Sequence, residues 1–214
     1  MRIGASSISP SLDRRDFVVA VAAMALVVLA SNILVQYPFT YAGLGDYLTW
    51  GAFSYPFAFL VTDLSNRRFG PGRARVIVYA GFVLAVALSA YFATPRLAIA
   101  SGAAFLTAQL LDIRIFQRLR HRAWWLPPFI SSVISSGLDT AIFFSVAFAC
   151  GPVPGFGSTI SDALGLVGIA DQCMALPWVN LAVADYLVKL VLAALSIAPY
   201  GVVLSLMRRE ARTA

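Results

Sequence analysis

The chain has 214 residues, of which 60% are hydrophobic and only 12% are charged. Soluble domains carry about 25% charged residues, so the composition excludes an ordinary soluble protein and predicts an integral membrane protein. A formal net charge of +6 also occurs in nucleic-acid-binding proteins. Here the arginines fall where membrane topology requires them, and we expect no nucleic-acid partner.

The apolar residues come in blocks of about 20, the length that crosses about 30 Å of hydrocarbon as a helix. We predict an all-α, polytopic membrane protein with six transmembrane helices, the second of which is short and interrupted by Pro56. The blocks leave no room for a soluble domain, so residues 1–214 form one membrane domain: a segment 1–16, a bundle 17–206 and a tail 207–214. The predicted spans are Phe17–Val35, Thr49–Leu64, Arg75–Ala93, Leu97–Leu119, Leu126–Ala149 and Trp178–Leu206.

Arginine residues are concentrated at alternate ends of the predicted spans. The loops after the first and fifth spans contain no Lys or Arg, and the loop after the third contains only Arg96. By the positive-inside rule, both termini are predicted to be cytoplasmic. The remaining arginines lie before the first span, after the even spans or close to those ends: Arg2, Arg14, Arg15, Arg67, Arg68, Arg73, Arg75, Arg114, Arg118, Arg120, Arg122, Arg208, Arg209 and Arg212.

Two segments leave alternatives open. Val28-Leu29-Ala30 before Ser31 resembles a signal-peptide cleavage site, but the apolar run is too long for a typical signal core, and we expect the first span to be retained. The loop Gly151–Pro177 is long enough for a small interfacial helix or is a passive surface loop. Cys150 and Cys173 belong to this loop region, on the predicted oxidising side, and are either bridged or unpaired.

The fifth span carries an aspartate near its middle. Placing a charge at the centre of a bilayer costs at least about 2.5–3.5 kcal/mol, so Asp139 must face inward, pair, or lie on a transport path. Ser135 precedes it by four residues, and Ser132, Ser136 and Thr140 follow the same spacing on one side of the helix. Secondary transporters place their substrate sites at this depth. The alternative is a hydrogen-bonded seam between helices.

The sixth span carries Asp185 and Lys189 at spacing four, the favourable order for a pair on one helix. The pair either neutralises itself or opens as substrate or protons enter. In the fourth span, Gln109 and Asp112 share a face. Asp112 pairs with Arg114 or Arg118 in one interpretation and has a functional role in the other.

Three further features complete the membrane pattern. Asp63 ends the second span beside Arg67 and Arg68, and we predict a cytoplasmic gate or a salt bridge. Asp63 and Asp112 are therefore our candidates for gating or proton coupling. Asn32, with Ser31 and Gln36, lies at the outer end of the first span, where it can line an access path. A stripe of small residues on the fourth span predicts close helix packing: Ala100, Ala104 and Ala108.

The sequence offers little for catalysis. His121 is the only histidine, and no His/Cys/Asp cluster has metal-binding spacing. No Gly-rich phosphate loop follows a strand, no nucleophile stands beside a base, and the Tyr-Asp and Gly-x-Gly-Asp signatures of intramembrane aspartyl proteases are absent. We expect no metal, no cofactor and no enzyme activity. A transporter or channel remains, with a membrane enzyme or scaffold as the competing class.

Several sequence blocks carry a family resemblance through their order and spacing. They run from Ser31-Asn32, through Thr49–Phe57 and Thr62-Asp63-Leu64, to Gln109-Leu110-Leu111-Asp112 with Phe116 and Arg118-Leu119-Arg120, then Trp124-Trp125-Leu126, Ser135 to Asp139-Thr140, and Asp185-Tyr186 with Lys189. From about Ser31 to Met207, the chain resembles the bacterial queuosine precursor transporters, a vitamin-uptake-like family.

The resemblance implies import of 7-cyano-7-deazaguanine (preQ0) and 7-aminomethyl-7-deazaguanine (preQ1) across the inner membrane. A carboxylate suits the N–H donors of a deazaguanine, an amide or ammonium suits its carbonyl, and an aromatic ring suits its flat face. The predicted binding residues are Asp139, Gln109, Lys189, Asp185, Ser135, Asn32, Phe53, Tyr55, Phe57 and Phe105. The chain either works alone, using protons or downhill flux, or is a substrate-binding subunit with an ATP-driven partner. Its small size is compatible with a homodimer, and lipid is the remaining partner.

Overall fold

The structure, a computed structural model, describes residues 10–41, 45, 48–54, 56–148 and 178–213. Within these ranges the protein is all-α, as predicted, and extended pairing is limited to an isolated bridge between Pro38 and Thr49. Tyr55, Cys150, Cys173 and the loop 151–177 lie outside the described residues. The helices are α1 (Pro10–Leu34), α2 (Gly51–Ser54), α3 (Pro56–Phe69), α4 (Pro71–Phe92), α5 (Pro95–Leu119), α6 (Leu126–Phe148) and α7 (Trp178–Thr213).

Five of the described helices are long and apolar enough to cross a membrane: α1, α4, α5, α6 and α7. The second predicted span is instead divided between α2 and α3. Proline lacks the N–H that would continue a helix but is favoured in a first turn, which explains why α3 begins at Pro56. With 14 residues, α3 rises about 21 Å, less than the thickness of the hydrocarbon layer.

Short turns with proline and glycine separate the helices. Gly70 has φ 82°, a left-handed conformation that favours glycine, and Pro71 then opens α4. The hydroxyl of Thr94 accepts a hydrogen bond from the Leu97 amide at 3.4 Å, so it caps the start of α5. These signals allow α3, α4 and α5 to follow one another closely.

Contacts between helices fix their relative direction. Met24 packs on Gly81, where a Cβ atom would lie 2.7 Å from the Met24 Cγ, and Ser89 donates to the Asn32 side chain at 2.8 Å. The difference in residue number between the two partners is the same in both contacts. Residue numbers therefore increase in the same direction along α1 and α4, and the two helices run parallel. The apolar core lies between these helices, α3 and α5, and includes Val28, Ala58, Ile77, Val78, Phe105 and Ile113.

A second parallel pair is formed by α3 and α5. Thr62 donates to Gln109 Oε1 at 2.5 Å, and Asn66 donates to the carbonyl of Ile113 at 3.3 Å. By contrast, α5 and α6 run antiparallel, because Arg96 at the start of α5 donates to the Val146 carbonyl near the end of α6 at 2.7 Å.

These directions gather many of the arginines at one end of the bundle, which we call the arginine end. There Arg68 forms an ion pair with Asp16 at 2.7 Å. Arg67 and Arg120 each donate to the other's carbonyl oxygen, at 3.1 and 3.2 Å. The arginine end therefore joins the start of α1, the end of α3 and the end of α5.

The outside of the bundle is apolar while several interior positions are polar. Large apolar side chains stand exposed on the outer faces, including Leu26 (67%), Val83 (67%) and Leu195 (63%). The stripe of Ala100, Ala104 and Ala108 is buried, as the sequence predicted for close packing. This distribution is that of a protein whose solvent is lipid.

Candidate functional site

A charged centre lies between α6 and α7. The ammonium group of Lys189 donates to Asp139 Oδ2 at 2.8 Å and lies 2.5 Å from Asp185 Oδ2. The spacing of Asp185 and Lys189 places them one turn apart on α7, and the pair predicted from that spacing forms. Asp139, which belongs to α6, makes it a three-residue centre.

Thr140 forms hydrogen bonds with two of the three charged residues of this centre. Its hydroxyl accepts from Lys189 at 3.1 Å and donates to Asp185 at 2.7 Å. Asp139 and Lys189 are only 3% and 5% exposed. Buried ions require a close partner and additional hydrogen bonds, and both are present here. With its side chains ionised, the centre carries two negative charges and one positive charge.

A cavity of about 710 Å³ reaches this centre from the end of the bundle opposite the arginines. Its rim includes the exposed Gln36 and Thr94, and all three charged residues line it. This volume falls in the range of small-molecule sites, which are mostly apolar with a few convergent polar groups. The remaining wall contains the polar side chains Ser31, Asn32, Ser89 and Ser101 and the rings of Phe92, Phe105, Phe143, Phe144 and Phe148.

The predicted binding residues divide into two groups. Five of them line the cavity: Asp139, Asp185, Lys189, Asn32 and Phe105. Phe53 packs against Phe39 and Trp50 at ring distances of 4.8 and 5.9 Å, and Phe57 is 48% exposed. Ser135 and Gln109 are fully buried beyond the charged centre, on the side of the arginine end.

A second polar centre lies closer to the arginine end. Asp63 on α3 and Asp112 on α5 are 1% and 0% exposed, and their carboxyl groups are close enough to share a hydrogen bond. Ser131 on α6 donates to Asp63 Oδ1 at 3.4 Å. No donor of the described residues reaches either oxygen of Asp112 with hydrogen-bond geometry.

The arginine partners predicted for these two aspartates do not contact them. Arg114 and Arg118 are exposed, whereas Asp112 is buried. A residue two positions along a helix points to a different face, which explains Arg114. Arg68 pairs with Asp16 instead of Asp63. Both salt-bridge interpretations were therefore wrong within the described part of the chain.

Between the two centres lies a buried polar layer. Gln109 accepts from Thr62 through its Oε1 atom. The Gln109 Nε2 atom and the Ser135 Oγ atom have no hydrogen-bond partner among the described residues. Ser135 lies one turn from Asp139 and one turn from Ser131, so it stands on α6 between the charged centre and the carboxyl pair.

The comparisons with known proteins identify the family. A family model described as "Putative vitamin uptake transporter" matches residues 49–94 and 87–203. The chain is 34% identical over 207 residues to the queuosine precursor transporter of Escherichia coli (strain K12), covering 86% of this chain and 85% of that protein. The chain belongs to the queuosine precursor transporter family.

Further relatives agree. The "Probable queuosine precursor transporter" of Haemophilus influenzae is 33% identical and covers 86% of this chain and 84% of its own length. The protein of the same description from Bacillus subtilis (strain 168) is 28% identical and covers 72% and 69%. No solved structure matches the chain significantly. The family consists of transporters, which confirms that the chain is not an enzyme and is consistent with several apolar helices crossing a membrane.

Some residues of the cavity wall were not predicted from the sequence. Ser89 and Ser101 are polar positions in otherwise apolar helices, a signal that was available. Phe143, Phe144 and Phe148 gave no such signal, because aromatic residues in an apolar helix more often face lipid or core. Only the packing of α6 against α5 and α7 turns them toward the cavity.

Proposed function

We propose that the protein imports the queuosine precursors preQ0 and preQ1 across the bacterial inner membrane, binding them in the cavity at the Asp139–Asp185–Lys189 centre. The observation that carries the proposal is a charged centre at the end of a cavity of about 710 Å³ in a chain of this family. The names of the relatives supply the substrate class, and the chemistry of the centre is compatible with it.

The pairing edge of a 7-deazaguanine offers adjacent N–H donors and a carbonyl acceptor. A carboxylate accepts from two adjacent N–H groups, and an ammonium donates to a carbonyl. Asp139 and Lys189 provide this combination 2.8 Å apart. Substrate binding then replaces part of their mutual contact with contacts to the base, so neither ion is left without a partner.

The flat face of the base requires a stacking surface. Phe105 on α5 and Phe143 and Phe144 on α6 line the same cavity as the charged centre. Stacking of a base on an aromatic ring contributes about 1–3 kcal/mol. Asn32 and Ser89, which are hydrogen-bonded to each other across α1 and α4, add polar groups on the opposite wall.

The substituent at position 7 distinguishes the two precursors. The aminomethyl group of preQ1 is a cation at neutral pH, whereas the cyano group of preQ0 is neutral. Because the ionised centre has one more negative than positive charge, Asp185 can accept the aminomethyl cation while Asp139 holds the pairing edge. We therefore expect preQ1 to bind more tightly than preQ0.

The proposed topology has six spans, with both termini in the cytoplasm. In such a topology the first and third spans run in one direction and the second and fourth in the other. The parallel pairs α1–α4 and α3–α5 support this order, with α2 and α3 together forming the second span. The positive-inside rule then makes the arginine end cytoplasmic, so the cavity faces outward.

The cytoplasmic side of the cavity is closed by polar contacts between α3 and α5. They are the Thr62–Gln109 hydrogen bond and the bond from Gln117 to Asn66, both 2.5 Å long. Alternating access requires that these contacts open while the outer rim closes. Asp63 and Asp112 lie between these two contacts, and of the two roles predicted for them, gating or proton coupling, we propose proton coupling.

Uptake in bacterial cells that neither make queuosine precursors nor carry their own transporter tests the function. Labelled preQ1 is supplied to cells with this protein or with an empty vector, and unlabelled preQ0, preQ1 and guanine are added as competitors. We expect uptake above the vector control that both precursors reduce. No uptake by protein present in the membrane would contradict a stand-alone transporter and favour an ATP-driven partner.

A further inference from the structure

The carboxyl groups of Asp63 and Asp112 lie together in the interior, and none of the basic side chains that the structure describes forms an ion pair with them. Each residue is almost fully buried, and the two groups are near enough to hydrogen-bond. Two carboxylates that both carry a negative charge would repel each other in a site with little water, and such pairs normally share a proton. A hydrogen bond between two carboxyl groups itself requires that one be protonated.

The basic side chains described on the elements around the pair have other partners or are exposed. Arg67 on α3 and Arg120 at the end of α5 each donate to the other's carbonyl oxygen, and Arg68 pairs with Asp16. α6 contributes the hydroxyl of Ser131, and α7 contributes Tyr200, which packs near Phe116. The other basic side chains described toward this end are exposed: Arg14, Arg15, Arg73, Arg75, Arg114, Arg118, His121 and Arg122.

We propose that Asp63 and Asp112 form a proton-binding site, in which one proton is shared by the two carboxyl groups, and that this site couples transport to the proton gradient. The coupling rests on the proposed function, whereas the shared proton does not. The site is distinct from the substrate cavity, because neither aspartate lines it.

Polar groups connect the proton site to the charged centre. Ser131, Ser135 and Asp139 follow one another at intervals of one turn on α6, so the two centres are separated by about 12 Å along the helix. Ser135 Oγ and Gln109 Nε2 lie in this interval without a partner among the described residues, although buried polar groups normally have one. They are the available intermediate positions for a proton passing from the cavity to the pair.

The direction of coupling follows from these positions. A proton arriving through the outward cavity is accepted by Asp139, passes by way of Ser135 to the carboxyl pair, and is released to cytoplasmic water when the Gln117–Asn66 contact on the arginine side of the pair opens. Substrate bound to Asp139 and Lys189 changes the electrostatic environment at the start of this path. Proton and substrate are therefore expected to move inward together.

Infrared spectroscopy of the purified protein in lipid tests the shared proton without any substrate. We expect wild-type protein at neutral pH to show the carbonyl stretch of a protonated carboxyl group, shifted in heavy water and by isotope-labelled aspartate. The double variant Asp63→Asn, Asp112→Asn should lose this band. The matched control Asp16→Asn, which removes an aspartate from the same end of the bundle, should keep it. A wild-type protein without the band, or a double variant that retains it, would overturn the proton site.

Vesicles that contain the purified protein test the coupling. The double variant should still exchange labelled for unlabelled preQ1, which also shows that it folds, but should not accumulate preQ1 in response to a proton gradient. Accumulation by the double variant, or accumulation by wild-type protein that follows a sodium gradient, would overturn the coupling. If wild-type protein carries neither precursor, the proposed function and the coupling both fail, and the infrared band still decides whether the proton is shared.

Discussion

Lys189 on α7 donates a hydrogen bond to Asp139 on α6 at 2.8 Å, and both side chains are buried. The same ammonium group lies 2.5 Å from Asp185. One positive charge is thus held by two carboxylates from different helices. A ligand that takes one carboxylate leaves the other with Lys189, so the centre can change partners without exposing an isolated charge.

Removal of Lys189 should destabilise the protein, because two buried carboxylates would remain without a cation. Removing one partner of a buried ion pair lowers the free energy of unfolding by about 3–5 kcal/mol. We expect Lys189→Met to unfold at a clearly lower temperature than wild-type protein. The measurement is the loss of the monodisperse peak in size-exclusion chromatography after heating. The double variant Asp139→Asn, Lys189→Met should recover part of this loss without recovering preQ1 binding. A single variant as stable as wild type would contradict the geometry of the centre.

A cysteine in the cavity wall should be accessible from outside the cell. In a protein whose Cys150 and Cys173 are replaced by serine, we expect Ser101→Cys to react with a membrane-impermeant thiol reagent and preQ1 to slow the reaction. The matched control Asn66→Cys, beyond the closed layer, should react only after the membrane is permeabilised. Equal labelling of both positions from outside would show that the cavity does not end at this layer.

Arg96 should stabilise the end of α6. Its Nε atom donates to the carbonyl of Val146 at 2.7 Å, one of the last four carbonyls of a helix, which lack intrahelical partners. Hydrogen bonds to charged groups contribute about 1.5–3 kcal/mol, so Arg96→Ala should lower the unfolding temperature. Arg114→Ala, at an exposed position of the same helix, serves as the control and should leave it unchanged. Equal effects of the two substitutions would argue against this role.

Reporter fusions test whether α2 and α3 cross the membrane. With six spans, alkaline phosphatase should be active when fused after Gln36 and inactive after Gly70 or at the C-terminus, and a fluorescent protein at the C-terminus should fluoresce. The fusion after Gly70 decides the matter, because a segment that dipped into the membrane and returned would leave Gly70 outside. Active phosphatase at that position would contradict the topology.

Sequence periodicity and length were sufficient for local features. The long apolar blocks correspond to α1, α4, α5, α6 and α7, and the spacing of Asp185 and Lys189 predicted their contact, since residues four apart on a helix are neighbours. The division of the second span was also signalled by Pro56, although the sequence did not indicate how short α3 would be.

Contacts between distant helices were not predictable in the same way. Asp63 and Asp112 were each expected beside arginines close in sequence, yet they meet each other because α3 and α5 pack in parallel. Phe53 and Phe57 had the right chemistry for stacking, but the faces of α2 and α3 direct them elsewhere. Which face of a helix meets which neighbour depends on the packing of the whole bundle, and a single sequence does not contain that information in local form.

Binding of preQ1 to purified protein, compared among wild type, Asp139→Asn and the control Asp16→Asn, is the most direct test of the proposed site. Loss of one hydrogen bond to a charged group costs about 1.5–3 kcal/mol, which corresponds to a weakening of about 10-fold or more. We predict that weakening for Asp139→Asn, with Asp16→Asn equal to wild type. An Asp139→Asn protein that is folded and binds preQ1 with wild-type affinity would contradict the assignment of the cavity as the substrate site.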